Sequence, residues 1–144
     1  MVKGADVVGL KNAISVSISR DGGQTWEEPS PIIGNGDGCW KNRDPTGNNY
    51  RSPWPIQLKD GRILVIFARR RRPMGIGGVI SSDDGRTWSH EFVIRDDAVS
   101  DDVGYPVGCQ LKDGRIFTAY YYTLPDGNNF GGTRFIAGSR FRLD

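Results

Sequence analysis

Short apolar runs, rich in β-branched and aromatic residues, alternate along this chain with polar turns built on Asp-Gly, Gly and Asn. Runs of that length bounded by such turns predict strands, and helix signals are nearly absent. The predicted strands are Ala13 to Ile18, Ser30 to Ile33, Pro53 to Leu58, Ile63 to Arg69, Ile76 to Ser81, Phe92 to Arg95, Tyr105 to Leu111, Ile116 to Tyr122 and Thr133 to Phe141. Two hairpins are closed by Asp60-Gly61 and Asp113-Gly114, a strong turn signal between apolar runs. A long polar loop, Gly34 to Tyr50, interrupts the series.

The pattern repeats. Ser19-Arg-Asp21-Gly-Gly23-Gln-Thr25-Trp26 is matched 62 residues later by Ser81-Ser-Asp83-Asp-Gly85-Arg-Thr87-Trp88, both of the form S-x-D-x-G-x-T-W. Gln57-Leu-Lys-Asp-Gly-Arg-Ile63 recurs identically 53 residues on, as Gln110 to Ile116, and a decayed third box starts near Ser139. A unit of about 60 residues that holds four short strands in antiparallel succession is the building block of a β-propeller blade. The 144 residues make one all-β unit of about two and a half such blades, with blade parts at 12–33, 51–95 and 105–143.

Composition narrows the class. Nineteen Lys and Arg against 17 Asp and Glu leave a net charge of +2, too little and too dispersed for a nucleic-acid or membrane-surface protein. No apolar run approaches the roughly 18 residues that cross a bilayer, and the first residues resemble neither a signal nor a transit peptide, so localisation stays open. The 20 Gly and 8 Pro agree with frequent turns. Cys39 and Cys109 could form one pair or stay as two thiols, and with His90 the single histidine, no His-based metal cluster or catalytic triad can be built without it. No metal and no cofactor are expected.

The S-x-D-x-G-x-T-W box makes sense as a turn: Ser and Asp oxygens accept nearby backbone N–H groups, Gly takes a positive φ, and Trp packs between sheets. A calcium loop would need more alternating carboxylates than Asp21 or Asp83-Asp84 supply. The two boxes resemble the Asp-box (BNR) repeats of the sialidase superfamily, whose members are six-bladed β-propellers; lectins and sorting receptors of propeller fold carry the same box. Arg51-Ser-Pro53 with the strand to Arg69 is similar to the arginine-x-proline segment of sialidases. Gly104-Tyr105-Pro with the strand to Tyr122 resembles their tyrosine-bearing strand, and Thr133 to Leu143 their closing strand. The likeness spans nearly the whole chain but less than half of a family domain.

In an up-and-down meander alternate turns fall on opposite ends. The boxes and Asp-Gly hairpins therefore share one end. The connections 34–51, 69–76, 95–105 and 123–133 share the other, which gathers Arg51, Arg69 to Arg72, Asp96-Asp97, Asp101-Asp102 and the tyrosines Tyr50, Tyr105 and Tyr122. Guanidinium forks suit a carboxylate-bearing ligand such as an acidic sugar. The resemblance implies sialidase-type glycoside hydrolysis, with a tyrosine nucleophile in place of the usual carboxylate. Carried over by position, it makes Tyr105 the nucleophile and Arg51 a carboxylate-binding arginine; Asp101 or Asp102, close to Tyr105 in sequence, is the expected base, and Arg69, Arg70 and Tyr122, gathered at the same end, are expected as further substrate contacts. Ser19, Asp21, Gly23, Thr25, Trp26, Ser81, Asp83, Gly85, Thr87 and Trp88 are structural. The loop Arg70 to Gly78 has no carboxylate where the family carries its acid/base aspartate, and Glu27, Glu28 and Glu91, each just after a box tryptophan, are expected at the far end. Two outcomes follow: an exo-glycosidase segment that acts once an assembly completes the propeller, or a non-catalytic module that binds glycan or protein through its arginine face. Exposed blade edges predict a homo-oligomer.

Overall fold

The computed structural model describes residues 13–34, 49–127 and 132–143. Within them lie nine strands: β1 (Ile14–Val16), β2 (Ser30–Ile33), β3 (Tyr50–Gln57), β4 (Ile63–Arg69), β5 (Gly75–Ser81), β6 (Phe92–Arg95), β7 (Gly104–Gln110), β8 (Ile116–Leu124) and β9 (Thr133–Phe141). They form three antiparallel meanders, β1-β2, β3-β4-β5-β6 and β7-β8-β9. The described residues contain no helix and form no closed ring. One sheet is complete at four strands, one has three and one has two. Cys39, most of the loop before Tyr50 and part of the β8–β9 loop lie outside the described residues; Cys109 is an exposed free thiol.

The middle sheet is packed on both sides. β4 carries Leu64, Val65, Ile66, Phe67 and Ala68 in succession, all buried. Period-two alternation sends Leu64 and Ile66 toward β7–β9, where they meet Ile116, Tyr120, Tyr122 and Val103, and sends Val65 and Phe67 toward β1–β2, where they meet Ile14, Ile32 and Ile33. A strand covered on both faces cannot alternate polar and apolar residues, which is why Ile63–Ala68 reads as a continuous apolar run.

The two boxes are built alike. In the second, Ser81 Oγ donates to Asp83 Oδ1 (2.8 Å) and accepts the Gly85 N–H (2.9 Å). Thr87 gives Asp83 both its N–H (2.8 Å) and its hydroxyl (2.6 Å). In the first, Asp21 takes the same bonds from Thr25 and Ser19, and Gly23 N–H goes to Ser19 Oγ. The expected packing of the tryptophans holds for one box. Trp88 bonds Gly85 O at 3.1 Å and packs against the Val65–Phe67–Val79 cluster, whereas Trp26 is 64% exposed because no described sheet lies beyond β1–β2 to cover it.

Two predictions follow from the packing and the box bonds. Ile66→Ala, with the side chain fully buried between two sheets, should cost about 2–5 kcal/mol in chemical denaturation. The Thr hydroxyl and N–H bonds hold Asp21 and Asp83 down at about 2. Because the folded value lies below the ordinary 3.8, the stability linked to these carboxylates is present above that value and is lost as pH falls toward about 2. NMR titration of the two side-chain carboxyls should place both midpoints near 2, and Asp83→Asn should flatten the acid limb of the unfolding curve.

Candidate functional site

β3 and β7, the first strands of their sheets, run side by side and share one irregularity. In β3 the register slips by one residue between Arg51 and Trp54, and in β7 between Gly104 and Val107. These positions are 53 residues apart, the offset of the Gln-Leu-Lys-Asp-Gly-Arg-Ile repeat, so Ser52-Pro53 corresponds to Tyr105-Pro106. Ser52 (φ 52°) and Tyr105 (φ 48°) both adopt positive φ, a conformation that costs a non-glycine residue energy and that a bulge holds in place. The bulge turns Tyr105 outward, leaving it 67% exposed at the end of the molecule opposite the boxes.

Beside Tyr105 the structure gathers residues from five strands or their ends. The Tyr105 ring stacks on Tyr121 of β8, centroids 5.8 Å apart and planes 27° apart. Tyr121 Oη donates to Asp102 Oδ1, and Arg134 Nε of β9 donates to Asp102 Oδ2. Those two bonds, Tyr121's first, hold the Asp102 carboxyl below its usual range, with the Arg70 charge adding to the effect. Burial, then the bond to Asp102, push Tyr121 up to about 12. Arg70 Nε donates to Val103 O at 3.1 Å, and a Cβ on Gly104 (φ 149°) would stand 3.2 Å from Ala68 Cβ and 3.6 Å from the Arg70 Nη2. Glycine at 104 therefore gives the chain its turn beside the Arg70 guanidinium. Arg51 is half-buried next to Arg70; burial first and the like charge of Arg70 second lower its pKa while leaving it charged.

The arginine run divides by strand alternation. Arg70 faces Gly104 and Val103, whereas Arg69 and Arg71 turn to the opposite side of the sheet and both pair with Glu91, Arg71 Nη2 at 2.7 Å. Tyr50 completes this cluster, donating to Glu91 (3.0 Å) and accepting from Arg71 Nε (2.7 Å). Glu91 was expected at the box end. It is reached instead because Arg69 runs back over Gly77, where a Cβ would meet Arg69 Cδ at 2.7 Å and Glu91 Oε1 at 3.0 Å. Arg69, 4% exposed and paired, thus stands away from Tyr105, contrary to the sequence expectation.

Tyr122 is likewise turned inward. It is fully buried between two sheets, its hydroxyl donates to Asp97 (2.9 Å), and the Arg95 guanidinium lies 3.9 Å from its ring centroid. The neighbour one residue earlier occupies the site because the face alternates at every step along β8. Asp101 is exposed. Tyr121 and Arg134 had been passed over. The signal for Tyr121 was the period-two alternation that sets it on one face of β8 with Ala119 and Phe117. Among the described residues no group of three His, Cys, Asp or Glu side chains is placed to hold a metal ion.

The site predicts a titration. Asp102→Asn should lower the ionisation of Tyr121 from about 12 while leaving it above the ordinary 10.0, since burial, the larger cause, remains. The difference in tyrosinate absorbance between the two proteins across alkaline pH measures it.

No protein-family model matches the sequence, and no curated protein aligns with it. Among solved structures, a protein of unknown function from Dyadobacter fermentans superposes over 94% of this chain with TM-score 0.72 and 27% identity. A Hadza microbial sialidase superposes over 92% with TM-score 0.57 and 22% identity. The chain spans about a third of each, 33% and 32% of their lengths. The second likeness is one of fold.

Proposed function

We propose that this chain is a segment of a sialidase-like propeller whose site, at the end opposite the Asp boxes, takes a sugar bearing a carboxylate. The observation that carries this reading is the approach of Arg70 and Arg134 to the Asp102 carboxylate that Tyr121 bonds, with Arg51 next to Arg70. Arg51 and Arg70 repel one another, and Arg134 is paired with Asp102. An anion set between two half-buried guanidiniums relieves that repulsion and binds them as forks. The fold likeness to a sialidase is consistent with it.

Two tyrosines present themselves for the nucleophilic role. Tyr121 has the proton acceptor: its hydroxyl already donates to Asp102, a carboxylate placed to take the proton as the oxygen bonds to the sugar. Tyr105 is the exposed one, stacked on it. The carboxylate-free loop Arg70 to Gly78 leaves no residue of that loop to protonate a leaving group, which favours a second reading, a glycan-binding module without turnover.

A nitrophenyl sialoside, whose leaving group departs without protonation, separates the two. Turnover that falls roughly 10³-fold or more in Tyr121→Phe, with binding of the free sugar acid kept, supports hydrolysis through Tyr121. The same loss in Tyr105→Phe alone moves the role to Tyr105. Binding without turnover in the wild-type protein selects the binding module. Calorimetry in which Arg51→Ala and Arg70→Ala bind the sugar acid as the wild type does, or in which the wild type does not bind it, ends both readings.

A further inference from the structure

The connection between β6 and β7 is tied by its side chains to three successive residues of β8. Tyr122 Oη donates to Asp97 Oδ1 at 2.9 Å, Ser100 Oγ and Thr123 Oγ1 are hydrogen-bonded at 3.1 Å, and Tyr121 Oη donates to Asp102 Oδ1. Neighbours on a strand face opposite sides, so Tyr122 holds Asp97 on the inner face of β8 while Tyr121 meets Asp102 on the outer one. The segment from Asp97 to Asp102 thus crosses from one face of the strand to the other. Its inner tie is the firm one. Tyr122 is fully buried, and Arg95 at the end of β6 gives Asp97 two bonds, from Nε to Oδ1 at 2.7 Å and from Nη2 to Oδ2 at 3.3 Å. The same guanidinium lies 3.9 Å from the Tyr122 ring centroid, so Arg95, Asp97 and Tyr122 close a triangle between β6, the loop and β8. The outer tie is weaker. The Arg134 side chain that pairs with Asp102 is 57% exposed, and an ion pair so exposed fixes a geometry poorly.

We infer that Tyr122 is a positioning residue: through Asp97 it fixes the loop that sets the Asp102 carboxylate against the Tyr121 hydroxyl. Tyr122 acts on the site from the far side of its own strand and touches no ligand there. Between the two ties the loop is held at Ser100, whose Oγ also accepts the Asp102 N–H at 3.3 Å, and beyond them at Val103, whose carbonyl accepts from Arg70 Nε at 3.1 Å. Released at Asp97, the loop regains the backbone freedom of several residues, which the exposed bonds at Asp102 are too weak to hold back. The groups that face Asp102 are Tyr121 of β8, Arg134 of β9 and Arg70 at the end of β4. None of these reaches it in the same way once the loop moves. The catalytic consequence rests on the reading of Tyr121 and Asp102 as the reacting pair; the placing of Asp102 by Tyr122 does not.

NMR titration of the Asp102 carboxyl and the Tyr121 ring in Tyr122→Phe tests it, because that substitution keeps the buried ring and removes a hydroxyl but no charge. The expected result is a pair of opposite shifts. Asp102, freed from its bond, rises toward the ordinary 3.8, and Tyr121 falls from about 12 toward the midpoint it has in Asp102→Asn. Should Tyr122→Phe fail to fold, Asp97→Ala should give the same pair of shifts. Loss of the Asp97 charge by itself would lower both midpoints, so the rise of Asp102 reports the loop. Unchanged midpoints in a folded variant, or midpoints that fall together, overturn the inference. In a wild type that cleaves the nitrophenyl sialoside, kcat should also fall on the order of 10²-fold in Tyr122→Phe with KM little changed. A variant that keeps its kcat overturns the inference as well. A wild type without turnover removes the reacting pair, and the titration then decides the placing of Asp102 alone.

Discussion

The burial of β4 on both faces is the constraint on which the rest of the molecule depends. An isolated meander of four strands has one core face at best; here Leu64, Ile66 and Val65, Phe67 fill two cores at once, so the middle sheet fixes the positions of the sheets before and after it. The strand ends in arginines because it emerges there from between the sheets. The first and third members of that run turn to one side and meet Glu91. The second turns to the other and meets the β7 loop at Val103. One apolar strand thus delivers opposite halves of a charged run to two different neighbours.

Around that strand the chain uses the same local devices twice. The two S-x-D-x-G-x-T-W boxes close the outer strand pairs by satisfying backbone N–H groups with a serine and an aspartate, so the box residues are committed to the turn. The bulge before Pro53 recurs before Pro106, and at both places the residue ahead of proline is forced to positive φ. In the first copy that residue is serine. In the second it is tyrosine, and the same strained backbone becomes the means of presenting an aromatic hydroxyl at the end of a strand. The repeat supplies the geometry, and the departure from it supplies the chemistry.

How much of this was legible in the sequence differs by level. The nine strands fell where apolar runs and Asp-Gly turns put them; Ser30–Ile33, Ile63–Arg69, Phe92–Arg95 and Thr133–Phe141 match to the residue. Glu91 was misplaced for a stated reason. Sequence position relative to the box predicts where its backbone lies, but not that a long arginine would travel back over a glycine to reach it. Tyr122 was chosen over Tyr121 because resemblance marks a segment, whereas a side chain's face depends on a register that counts single residues.

By itself the sequence determined the fold class, the antiparallel meanders, the box turns and the end of the molecule at which arginines, aspartates and tyrosines collect, because all of these follow from local periodicity and turn chemistry. Only the tertiary structure decided which members of those clusters meet: that Asp102 bonds Tyr121 and Arg134, that Arg69 belongs to Glu91, and that the outer face of β7–β9 is bare. Those pairings join residues 19 to 32 positions apart across sheets and loops. No local pattern encodes them, since they are set by bulge positions and by which of two identical repeats finds a neighbouring sheet to cover it.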